Sequence, residues 1–175
     1  DTGGRKLTGP VAGFLTAVAI LWSLAQLFYA SPLPFALGFG IVNDTEARAM
    51  HLGVGLFLAF LAYPAFKSRS PRDRVPAADW VLAVVAAFCG AYLFLFYREL
   101  ALRPGQPNAM DLWTGAIGMV LLLEATRRAV GWPMAVLAII CLTYVFAGPY
   151  MPDVLMHKGA SLSRTMSQMW LTTEG

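Results

Sequence analysis

Three charged residues at one end of an apolar run are the first candidates for chemistry. Glu124 is followed by Arg127 and Arg128, so a helix would place both arginines on the same face as the glutamate. An acid in a membrane helix can relay protons or ions, but it is costly in lipid unless a cation pairs with it. Two guanidinium partners would hold Glu124 ionised, so the spacing favours a local ion pair that locates the end of the helix over a relay.

The two histidines are candidates for haem ligands, because a membrane haem needs paired histidines at the level of the bilayer. His51 lies near the start of an apolar run, whereas His157 lies beyond the last one. We therefore predict that His51 is a hydrogen-bonded residue at the membrane interface. The sequence has no serine-hydrolase elbow, zinc-protease helix or phosphate-binding loop, so we expect neither enzyme activity nor a cofactor or metal in this chain.

The composition indicates the class of protein. Of 175 residues, 58% are hydrophobic and 13% are charged, whereas soluble chains average about 25% charged residues. The apolar runs are longer than the alternating segments of a β-barrel, which predicts an all-α membrane protein. The net charge is +3, but the basic residues lie between the apolar runs. The lipid bilayer, and not nucleic acid, is therefore the expected partner.

Five apolar runs approach the length of about 20 residues that a membrane-spanning helix needs. The predicted spans are residues 10–30, 47–66, 79–98, 111–129 and 132–150. Pro133 suits the first turn of the last helix, where its missing N–H group is not needed. The sequence therefore predicts a polytopic helical bundle with about five transmembrane helices.

The basic residues predict the orientation of the bundle. Residues 5–6, 67–74 and 127–128 hold eight of the thirteen lysines and arginines, and an even number of crossings separates these groups. The positive-inside rule makes their shared face cytoplasmic, so the N-terminus lies inside and the tail emerges outside. Trp80 and Trp132 would mark the cytoplasmic interface, whereas Trp22 lies at mid-span and is expected against another helix.

Small residues and an amphipathic tail predict helix packing. Gly53 with Gly55, and Gly115 with Gly118, would let neighbouring helices approach closely in lipid. From Ser161 a helix can begin, with an apolar face of Leu162, Met166, Met169 and Trp170. Such a connector lies on the bilayer surface or packs against other helices.

Three motifs of the second half carry a family resemblance: "EATRRAVGWPM", "YMPDVLMHKGASLSR" and "LTTEG". Together they resemble the fused membrane component of TRAP transporters, in the branch that works with TAXI-type substrate-binding proteins. The resemblance covers the chain from about Glu124 onward. In the first half only the pattern of spans is similar.

The resemblance implies a function and a division of the chain. Residues 1–130 would form a four-helix scaffold domain that resembles a small subunit, and residues 131–175 would be a connecting transmembrane helix and amphipathic linker. These would lead into a large transport domain of the same polypeptide, which holds the substrate and the coupling ion, sodium or proton. A periplasmic TAXI-type protein would deliver an organic acid anion, and the location would be the bacterial inner membrane. The chain is accordingly expected to be a piece of a longer protein.

A membrane anchor subunit of a redox complex is the alternative function. It would need haem or quinone ligands, and the shortage of histidines in the spans counts against it. Within the scaffold hypothesis, Glu124, Arg127, Arg128, His51, Trp80 and Trp132 are predicted to be structural or interface residues.

Overall fold

The computed structural model describes residues 3–66 and 69–172, and every regular element in these residues is helical. Lys67 in the predicted basic loop, and Thr173, Glu174 and Gly175 of the "LTTEG" motif, lie outside the described residues. The helices are α1 Gly9–Ala30, α2 Leu33–Leu37, α3 Asp44–Ala62, α4 Ala77–Leu95, α5 Tyr97–Ala101, α6 Ala109–Ala129, α7 Trp132–Ala147 and α8 Leu162–Met169. A 3₁₀ turn, Gly148–Tyr150, extends α7.

Local sequence signals explain where the long helices begin. Asn43 caps α3, because its side chain accepts a hydrogen bond from the N–H group of Glu46, and the Glu46 carboxylate bonds the Asn43 N–H in return. Asn108 and Asp111 form the same reciprocal capping box at α6. Each box satisfies backbone donors that the first turn of a helix leaves unpaired. Pro133 lies in the first turn of α7, as predicted.

Four helical segments are long and apolar enough to cross a membrane: α1, α4, α6 and α7 with its 3₁₀ turn. Their length and composition confirm the prediction of a helical membrane protein. The second predicted span corresponds to α3, which has 19 residues and would be about 28 Å long, but it is not among the four. Its first two turns carry Asp44, Glu46 and Arg48, which lower its hydropathy.

The core lies between α3, α4 and α6. Phe60, Leu61, Ala83 and Ala86 are completely buried, and Leu121 from α6 completes the cluster. No residue of α1 is buried, and Ala135 is the buried residue of α7. α3 is therefore a central helix of the bundle, whereas α1 and α7 are peripheral.

An aromatic triangle attaches α1 to the core. The rings of Phe14, Phe57 and Trp80 have centroids 6.0–6.4 Å apart, within the range of favourable aromatic pairs. Farther along α1, the Trp22 indole donates a hydrogen bond to His51 Nδ1 at 3.2 Å. Trp22 therefore faces another helix, as the sequence predicted.

Candidate functional site

The most concentrated chemistry lies at the end of the bundle where α3 and α6 end and α4 begins. Five charged side chains interlock there, and we call them the five-residue ion network: Arg5, Asp79, Glu124, Arg127 and Arg128. Asp79 is at its centre, in the first turn of α4, where the helix dipole favours an acid. Its carboxylate binds Arg5 through one oxygen and Arg128 Nη1, at 2.8 Å, through the other.

The α6 side of the network has the geometry that the sequence suggested. Glu124 Oε1 accepts from Arg128 Nε, and Glu124 Oε2 accepts from Arg127 Nε, both at 2.7 Å. Arg127 also donates to the Ala65 carbonyl at 2.8 Å. The predicted ion pair is therefore present, and it is part of a larger assembly that reaches α4 and the N-terminal segment.

Arg5 ties the N-terminal segment to the end of α3. Its Nη1 donates to the Phe60 and Leu61 carbonyls at 2.9 and 2.8 Å, and its backbone N–H donates to Ala62 at 2.7 Å. These carbonyls belong to the last turn of α3, which has no helical partners for them. The Arg5 side chain is fully buried, and its Nε is the one buried side-chain nitrogen or oxygen without a partner among the described residues.

A second buried carboxylate lies at the opposite end of the bundle. Asp111 is fully buried and accepts hydrogen bonds from the Tyr92 hydroxyl at 2.6 Å and the Asn108 N–H at 2.8 Å. Arg103 Nη1 lies 2.6 Å from its second oxygen. We call these four residues the Asp111 cluster. It joins α4, the loop before α6 and α6 itself, so ion pairs hold both ends of the α4–α6 pair.

Glycines control the distances between the central helices. A Cβ atom at Gly90 would lie 2.8 Å from the backbone of Gly53, so α3 and α4 touch through these two glycines. Gly55 was predicted to pack as well, but a Cβ atom there would have no neighbour within 4 Å. The sequence interpretation identified Gly53 and missed its actual partner, Gly90.

The tail helix α8 occupies a groove in the outer surface of α4 and α6. A Cβ atom at Gly118 would lie 2.1 Å from the Trp170 ring, and the indole donates to the Cys89 carbonyl at 3.1 Å. Met166 and Trp170 of the predicted apolar face are buried, whereas Leu162 and Met169 are exposed. The connector therefore packs against the bundle through one part of its apolar face.

The histidines occupy separate positions. His51 is exposed, and its Nδ1 accepts the hydrogen bond from Trp22. His157 folds back over the end of α7, where its Nε2 donates to the Tyr144 carbonyl and its Nδ1 accepts from the Gly159 N–H, each at 3.0 Å. The described residues contain no group of three or more histidine, cysteine, aspartate or glutamate side chains that could hold a metal.

The two predicted interface tryptophans have different surroundings. Trp80 is half-buried in the aromatic triangle, one position after Asp79. Trp132 is 62% exposed, and its ring stacks on the Arg127 guanidinium, 5.3 Å from the ring centroid. The two rings lie near the same end of the bundle as the five-residue ion network.

Sequence reasoning missed four charged members of the two assemblies: Arg5 and Asp79 as ion partners, and Arg103 with Asp111. Asp111 had a readable signal, because an asparagine followed three residues later by an acid is the pattern of a capping box. No local pattern could identify Asp79 as a partner of Arg5, because 74 positions separate the two residues. Comparisons with protein-family models, with curated proteins and with solved structures gave no match for this chain.

Proposed function

We propose that this chain is the scaffold part of a TRAP-type secondary transporter that imports organic acid anions. In this proposal residues 1–130 form the supporting domain and residues 131–175 connect it to a large transport domain of the same polypeptide. The large domain binds the substrate and the coupling ion, sodium or proton. A TAXI-type binding protein delivers the substrate from the periplasm, and the basic end of the bundle faces the cytoplasm of a bacterium.

The observation that carries the proposal is the state of the buried carboxylates. Asp79 binds two guanidinium groups, those of Arg5 and Arg128. Asp111 binds the Arg103 guanidinium, the Tyr92 hydroxyl and the Asn108 N–H. Charges that are paired in this way fix helices relative to each other and have no free position for a transported cation or anion. Fixed ion pairs of this kind suit a domain that supports its neighbour. A transport site, in contrast, must release its ligand.

The surface of the bundle is consistent with the same role. Along α1, Leu21, Leu24 and Leu27 are more than half exposed, and along α7, Leu137 and Ile140 are too. Peripheral helices of this kind suit contact with lipid or with a neighbouring membrane domain. The Gly53–Gly90 contact keeps the helices behind them closely packed.

The test is uptake of organic acids into proteoliposomes with a TAXI-type binding protein and a sodium gradient. The chain on its own should give no uptake above empty liposomes, whereas the polypeptide that includes the transport domain should accumulate substrate. Uptake by the chain alone would refute the scaffold assignment.

The alternative, an anchor subunit of a redox complex, has no comparable support. Both histidines already make hydrogen bonds inside the chain. An absorption spectrum of the purified protein distinguishes the two proposals, because a bound haem gives a Soret band.

A further inference from the structure

A basic pocket lies beside the five-residue ion network, and the scaffold proposal assigns it no role. It lies between residues 64–66, which follow α3, and the connection from α6 to α7, and its volume is about 330 Å³. Arg127, Arg128, Phe66 and Trp132 are among its lining residues, and the Arg127 guanidinium lies 5.5 Å from the Phe66 ring centroid and 5.3 Å from the Trp132 ring centroid. The pocket therefore combines guanidinium groups with aromatic rings.

The charges around the pocket do not balance. The five-residue ion network has three guanidinium groups and two carboxylates, which leaves one positive charge. Arg127 Nε and Nη2 bind Glu124 and Ala65, while its Nη1 has no hydrogen-bond partner among the described residues. The excess charge is shared along the network, and Arg127, which lines the pocket, still has one unused N–H donor group after it binds both oxygens of Glu124.

The start of α7 contributes to the same pocket. Gly131 and Trp132 line it, and no side chain caps the first turn of this 16-residue helix. Pro133 supplies no N–H group to this turn, but the other unpaired N–H groups of a first turn carry a partial positive charge that favours anions. With the free Arg127 donor, this makes the pocket suited to a phosphate group.

The position of the pocket indicates the source of the phosphate. It lies where two candidate membrane spans meet, because α6 ends at Ala129 and α7 begins at Trp132. Exposed apolar side chains, Leu137 and Ile140, continue along α7 from this level. A headgroup in the pocket could thus have its acyl chains along α7, and basic pockets between membrane helices take anionic headgroups.

We infer that this pocket binds the phosphate of an anionic phospholipid, with Arg127 as the main contact and Trp132 beside it. The probe is phosphatidylglycerol, compared with zwitterionic phosphatidylcholine, added to the purified full chain in detergent and measured by native mass spectrometry. The wild-type chain should retain phosphatidylglycerol preferentially. Arg127→Gln should lower its retention about fivefold, which corresponds to the loss of one basic contact at a membrane surface.

Arg48→Gln is the matched control, because Arg48 is an exposed arginine near the opposite end of the bundle. It should retain phosphatidylglycerol like the wild type. Equal loss in both variants, or equal retention of the two lipids by the wild type, would overturn the inference.

Two further measurements separate lipid binding from unfolding and from binding of free phosphate. Because Arg127→Gln removes bonds to Glu124 and could unfold the chain, Ala65→Asp places a negative charge beside the pocket and should lower retention in a folded protein. Millimolar inorganic phosphate should neither displace phosphatidylglycerol nor raise the melting temperature. If it does both, the pocket is a site for free phosphate and the lipid assignment is wrong.

Discussion

Asp79 is the single residue on which the five-residue ion network depends. It receives Arg5 from the N-terminal segment and Arg128 from α6, and it is 5% exposed. Removing one partner of a buried ion pair is far more costly than removing an exposed one, because the remaining charges stay buried without compensation. Asp79 therefore links three parts of the chain that are distant in sequence.

We predict that Asp79→Asn lowers the free energy of unfolding by about 3 kcal/mol, because two buried guanidiniums would lose their shared carboxylate. The measurement is thermal or denaturant unfolding of the chain in detergent. Asp44→Asn is the control, since the Asp44–Arg48 pair is exposed and should contribute less than about 1 kcal/mol. A similar small loss in both variants would show that the network does not stabilise the bundle.

At this scale the sequence predicted three of the five residues of the network. Glu124, Arg127 and Arg128 lie within one helix, so helical spacing alone brings them together. The contacts of Arg5 with Asp79 and with the end of α3 depend on how three helices pack, which no local pattern encodes. Trp132 was predicted as an interface residue, but its stacking on Arg127 follows from the path of the α6–α7 connection.

At the scale of elements, the α3–α4 contact depends on two glycines. A side chain at Gly90 would meet the backbone of Gly53, which cannot move without shifting α3. A side chain at Gly55 would meet open space. The two positions therefore form a matched pair for testing how closely the helices pack.

Gly90→Ala should lower stability by about 1–3 kcal/mol, the usual cost of overpacking. Gly55→Ala should be neutral or stabilising by up to about 1 kcal/mol, because alanine is the better helix former. Unfolding of both variants under the same conditions measures the difference. Equal stability of the two would mean that α3 and α4 do not touch at Gly53 and Gly90.

The docking of α8 is the second feature of this scale. Trp170→Ala should release α8 from its groove, because the indole fills the space at Gly118 and bonds the Cys89 carbonyl. The readout is the rate at which a maleimide labels the buried Cys89, in a Cys141→Ser background that removes the exposed cysteine. Labelling should become faster in Trp170→Ala, with a loss of stability of about 3–5 kcal/mol, the usual cost of removing a buried tryptophan.

Trp113→Ala is the control for this experiment, because Trp113 lies on α6 and is 67% exposed. It should label at the wild-type rate. Slow labelling in both variants would show that Trp170 does not hold α8 over Cys89.

For the whole molecule, the sequence predicted the elements better than their arrangement. The five predicted spans coincide with α1, α3, α4, α6 and α7 to within a few residues, because apolar run length and helix-capping residues are local signals. The sequence could not show that α3 is central and α1 peripheral, since both runs read as spans. It left open whether the tail lies on lipid or on protein. In the structure α8 packs on protein, because Met166 and Trp170 lie against Gly115 and Gly118 of α6.

The scaffold proposal requires that the bundle and its docked α8 stay fixed while a neighbouring domain moves. A Cβ atom at Gly115 would lie 3.4 Å from the Met166 Cβ, close to the separation of about 3.5–4.5 Å that a disulfide requires. Gly115→Cys with Met166→Cys, in a chain whose native cysteines are serines, should therefore lock α8 to α6.

The most direct measurement is substrate uptake by the polypeptide that includes the transport domain, with this disulfide formed and then reduced in the same preparation. We expect equal uptake in the two states, because a fixed support does not need to move. Uptake that is lost on oxidation and restored by reduction would contradict the scaffold proposal, since α8 would then have to leave its groove during transport.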